Sequence, residues 1–106
     1  MSDRKLGLLL STSPSHPSVE TVAQLAQAAL RRGVDVYLYL IDEGVKTVSD
    51  ERYLALIDAG VKMSVCAYGC QQHGVLTTTV DSRISLSGLV VLSAIIDGCD
   101  RFLAFT

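Results

Sequence analysis

The chain alternates between short runs that are apolar at nearly every position and longer runs whose apolar positions recur every three to four residues. The first short run is residues 6–10, LGLLL, and a loop rich in hydroxyls and proline follows at 11–17. Between 19 and 32, Val19, Val22, Ala23, Leu25, Ala26, Ala29 and Leu30 keep helical spacing, with Ser18 placed to cap the helix and Gly33 to stop it. Residues 34–41, VDVYLYLI, are β-branched and aromatic and predict a strand. A loop at 42–46, beginning Asp42, Glu43, Gly44, leads to a second helix at 50–59 that closes on Gly60. Residues 61–66 predict a third strand and 67–73 a short helix stopped by Gly74. The polar stretch 77–85 carries a weak fourth strand at most. Ser87 is placed to cap a helix running to about Asp97, and 101–105 form a last strand.

Strands apolar throughout, alternating with helices that end on glycine, imply a mainly parallel sheet covered on both faces. The expectation is a single α/β domain spanning 1–106, three-layered, with about five strands. Ligands of such sheets bind at the carboxyl ends of the strands. The loops at 11–17, 42–46 and 66–69 all reach that edge.

Composition narrows the function classes. Apolar residues make up 49% of the 106 positions and charged residues 19%, with a mean hydropathy of +0.38. A domain this small cannot enclose all of that apolar surface, so a homo-oligomer is expected. Nine basic against eleven acidic side chains, without a basic run, exclude a nucleic-acid surface. No segment approaches the roughly 20 apolar residues that span a bilayer. The opening apolar run is too short for a leader and no small-residue cleavage site follows it, so a cytoplasmic location is expected. Three cysteines, an odd number, argue against a disulfide framework.

Two of those cysteines, Cys66 and Cys70, lie in VCAYGC, where the third strand becomes a short helix. A thiol there faces backbone amides able to favour the nucleophilic thiolate. Cys70, four residues on, lies within about 6 Å along one helix face, and His73 shares that face. The competing reading is packing, since cysteine is often only a small buried hydrophobe. The spacing C-x3-C-x2-H lacks the knuckle pattern and fourth ligand of structural zinc, and no metal is assigned. Tyr68 and Gly69 beside Cys66, with Ser11 after the first strand, complete the candidate set. Tyr37 and Tyr39 share one strand face and suit packing; Cys99 is structural, and His16 belongs to a solvated loop.

The runs VKMSVCAYGCQQHG at 61–74, ISLSGL at 84–89 and CDRFLAF at 99–105 resemble the DsrE/TusD-like sulfur-relay proteins, the DsrE/DsrF-like family. The resemblance covers almost the whole chain and is most specific in its second half. It implies a small α/β subunit, assembled as a homotrimer, hexamer or heteromeric ring. It also implies a cysteine, here Cys66, that accepts sulfane sulfur as a persulfide and hands it to a partner protein. The chain is shorter than the relay subunits between its second strand and second helix, and Cys70 has no required counterpart in the simplest members.

Three other functions compete with a persulfide carrier. A non-catalytic assembly subunit would use the same fold for contacts alone. A thiol redox protein would pair Cys66 with Cys70. A flavodoxin-like protein would hold phosphate at 11–15, but that loop lacks glycine, Pro14 and Pro17 remove amide donors, and the chain has no Trp, so no cofactor is assigned.

Overall fold

Five strands pair in the order β4-β3-β2-β1-β5, every neighbouring pair parallel. They are β1 (Lys5–Leu10), β2 (Asp35–Leu40), β3 (Lys62–Cys66), β4 (Ser85–Ser87) and β5 (Arg101–Phe105), joined by α1 (Ser18–Arg31), α2 (Glu51–Ala59), α3 (Ala67–Gln72) and α4 (Leu89–Gly98). The structure, a computed structural model, describes residues 4–106. The expected α/β three-layer fold is present.

Because β1 to β4 step across the sheet in one direction and β5 returns beyond β1, right-handed crossovers place α4 on the face opposite α1 and α2. The two faces differ in kind. One carries Leu8, Leu10, Val36, Leu38, Leu40, Met63 and Val65, all buried beneath α1 and α2. The other carries Gly7, Tyr37, Tyr39, Ser64, Cys66, Ser85 and Ser87, matched across the strands by register. There α4 comes close enough to β1 that a Cβ on Gly7 would sit 3.0 Å from Ile95 and 2.8 Å from Phe102. The hydroxyl-bearing face was not anticipated by the reading of uniformly apolar strands.

Local chemistry explains most element ends. Asp50 caps α2 by accepting the Arg52 amide at 2.9 Å; the same guanidinium, bonded to its side chain, holds its carboxyl below the usual range. Gly60 ends α2 at φ 114°, a left-handed backbone that a side chain would strain. Buried Tyr53 ties α2 to α1 by donating to the Val19 carbonyl at 2.9 Å.

Four local expectations are corrected. Ser18 is not a cap: Pro17 is already helical at φ −57°, so the helix begins before Ser18's side chain is of use. His16 serves instead, its Nδ1 accepting the Ser18 amide at 3.0 Å. Ser87 is the last residue of β4 and leaves the cap position to Gly88; the weak strand expected at 77–85 falls at Ser85–Ser87, where register with β3 supplies hydrogen bonds. The loop at 42–46 is the start of a 3-10 segment, Asp42–Ser49, long for its type, which buries Val45, Thr47 and Val48 at the carboxyl edge.

That segment depends on a missing side chain. A Cβ on Gly44 would collide with the carbonyl of Leu10 at the end of β1. Gly44→Ala is therefore expected to destabilise the fold by about 2 kcal/mol or more, since backbone cannot yield as a flexible side chain does. A urea melt that leaves the midpoint unchanged would contradict this.

Candidate functional site

Cys66 closes β3 and caps α3. Its backbone is still extended, at φ −68° and ψ 116°, and its Sγ accepts the Gly69 amide at 3.4 Å. Only glycine allows that approach: a Cβ on Gly69 would sit 2.8 Å from Val45 and 3.4 Å from the Asp42 amide nitrogen. Cys66 is 6% exposed and faces a cavity of about 460 Å³ walled by Ile41, Ala67, Tyr68, Gln72, His73, Ser87 and Leu89.

Tyr39 is the residue the sequence reading assigned to packing alone. It is fully buried, and its hydroxyl donates to the Gly88 carbonyl at 3.0 Å, with the Ser87 carbonyl at 3.5 Å. Burial pushes the Tyr39 phenol above its ordinary range, outweighing the Ser87 side chain, which lowers it, and the nearby Cys66 thiol adds to the rise. The phenol is thus a donor throughout the neutral range. Ser87, which lies opposite Cys66 in the β3–β4 register, turns a buried hydroxyl toward the same place, and that hydroxyl makes no well-aligned hydrogen bond. Period-two spacing puts Ser64 and Cys66 on one side of β3, but only the strand register sets Tyr39 opposite Ser64 and Ser87 opposite Cys66.

A second group sits at the cavity edge. His73, at the end of α3, places Nε2 2.8 Å from Asp42 and Nδ1 3.1 Å from Glu43. Asp42 holds a left-handed backbone at φ 53°, alone in this among the described non-glycine residues. These contacts tie α3 to the 3-10 segment. Among the described residues no three His, Cys, Asp or Glu side chains are arranged to hold a metal ion.

The other candidates are more dispersed. Cys70 is enclosed, and burial, seconded by Cys66, pushes its thiol up. Tyr68 is 67% exposed at the cavity rim and its hydroxyl accepts from Gln72. Ser11 lies between β1 and β5, its hydroxyl donating to the Phe105 carbonyl at 3.5 Å, and is not part of the cavity wall. All three cysteines are free, Cys99 being partly buried under α4. A larger cavity of about 630 Å³ lies under α4 near Lys62, which stacks over Tyr37, but the Cys66 thiol does not reach it.

Because burial raises the Cys70 thiol, its thiolate is scarcer than that of an ordinary cysteine at any given pH. Cys70 is therefore expected to react with iodoacetamide only at pH above the range of a free thiol, and mass spectrometry of peptides labelled across a pH series checks this. Labelling of Cys70 at the rate of a free thiol at neutral pH would contradict it.

The chain is similar in fold to three solved proteins. It matches the YchN protein of E. coli with a TM-score of 0.85 at 18% identity, covering 96% of this chain and 99% of that one. A conserved protein of unknown function from Bacteroides thetaiotaomicron, BT1422, gives 0.80 at 19% identity over 97% and 96%. Another of unknown function from Methanobacterium thermoautotrophicum, MTH1491, gives 0.77 at 12% identity over 97% and 100%. No curated protein matches the sequence. The DsrE/DsrF-like family model matches residues 4–105, and the chain belongs to that family.

Proposed function

We propose that the protein is a sulfur carrier, accepting sulfane sulfur as a persulfide on Cys66 and passing it to a partner protein in the cytoplasm. The observation that carries the reading is the Cys66 sulfur itself, at the head of a cavity and accepting an amide proton. Family membership supports it, since the DsrE-like proteins are associated with sulfur relay.

The chemistry balances without an oxidant. The Cys66 thiolate attacks the outer sulfur of a donor R–S–SH, the donor S–S bond breaks, and R–S⁻ leaves and takes up a proton. A new S–S bond now stands on Cys66, and an acceptor thiolate repeats the step to remove the outer sulfur. Gly69 supplies the amide and Tyr68 the exposed wall against which donor and acceptor dock. Cys70 is fully buried and its thiol is pushed up by that burial, which favours a packing role over a resolving one.

The surface around this cavity supports an oligomer. Val90 is 84% exposed and Leu89 63%, with Leu86, Ile96 and Leu76 also exposed. Apolar side chains gathered on β4 and α4 suit contact with further copies, as a trimer or hexamer.

Incubation with a low-molecular-weight persulfide is expected to add one sulfur, about 32 Da, to Cys66 and none to Cys66→Ser. Intact-mass analysis decides this, and an unmodified wild type sinks the carrier reading in favour of an assembly subunit. Val90→Glu is expected to lower the molar mass found by light scattering; an already monomeric wild type would remove the oligomer from the proposal.

A further inference from the structure

Resting on the carrier reading, we infer that Ser87 and Tyr39 form a hydroxyl cradle that holds the outer sulfur of the Cys66 persulfide. The Ser87 hydroxyl is enclosed and lies by the Tyr39 phenol without a well-aligned hydrogen bond. An enclosed hydroxyl without a well-aligned bond costs free energy, and such a group calls for an explanation at its own position. Its surroundings supply one: Ser87 lies opposite Cys66 in register and lines the same cavity.

Tyr39 reaches the same place from the other side. Its hydroxyl donates to the carbonyl of Gly88, which lines the same cavity, and lies near enough to the Cys66 thiol for the two to influence one another. Once the sulfur bears a charged outer atom, the phenol proton turns to it, and Ser87 donates from β4. The two donors enter from β2 and β4, flanking β3. The Gly69 amide is left to the inner sulfur, so each sulfur of the persulfide has its own donor. Hydrogen bonds to an anion are stronger than those between neutral groups. The cradle therefore favours the loaded form over the empty one, and slows loss of the outer sulfur until an acceptor enters. The remaining titratable groups around the sulfur are Tyr68, Cys70 and His73 from α3 and its end, and Asp42 from the 3-10 segment; β4 and the start of α4 contribute none.

The test uses the full-length chain, glutathione persulfide as donor, and four variants: Ser87→Ala, Ser87→Thr, Tyr39→Phe and, as a control on the same strand, Ser85→Ala. Loading is read by intact mass, and loss of the outer sulfur by thiocyanate formation with cyanide. Ser87→Ala and Tyr39→Phe are each expected to lose the outer sulfur about tenfold faster than wild type, the scale of one hydrogen bond to a charged group. Ser87→Thr, which keeps the hydroxyl, should restore wild-type retention, which loss of packing alone would not allow, and Ser85→Ala should behave as wild type. If Tyr39→Phe does not fold, the Ser87 pair decides. A wild type that loads normally while Ser87→Ala loads and releases identically overturns the cradle and leaves the carrier intact. A wild type that does not load overturns both.

Discussion

The site rests on the absence of a side chain at Gly69. Helix α3 can turn sharply off the end of β3 only if its third residue lies flat against Val45 and the Asp42 backbone, and a methyl group there would come within 2.8 Å of Val45. The amide of the same residue donates to the Cys66 sulfur. Packing and chemistry thus meet at one position, where the missing side chain makes room for Val45 and the backbone serves the thiol.

What stands over the sheet's carboxyl edge follows from this turn. The 3-10 segment Asp42–Ser49 lies against α3, and both are seated by glycines, Gly44 over Leu10 and Gly69 over Val45. His73 then bridges to Asp42 and Glu43 with both ring nitrogens engaged, locking helix to segment beside the cavity. The left-handed Asp42 belongs to the same lock. Strained backbone at such a place is held by its surroundings, here by the His73 hydrogen bond and a buried Val45.

The two sheet faces divide the labour. Beneath α1 and α2, close-set leucines and valines leave no room for anything but packing, and this face supplies the fold's stability. The opposite face is thinly covered by α4 and carries tyrosine, serine and cysteine. Its polar atoms and the exposed apolar side chains of α4 and β4 lie side by side, so a neighbouring chain seated there would adjoin the cavity that holds Cys66.

The sequence by itself determined the order and type of nearly every element, because periodicity and helix-ending glycines are local signals, and it placed Cys66 at a strand's end for the same reason. It did not determine which groups meet that sulfur. Tyr39 and Ser87 are far from Cys66 in the chain and look like ordinary strand residues. They come together only because parallel pairing sets β2, β3 and β4 in one register, and hydrogen bonds between strands leave no trace in local pattern. The 3-10 segment was illegible on the same ground: its burial comes from contact with α3 rather than from a repeat of its own.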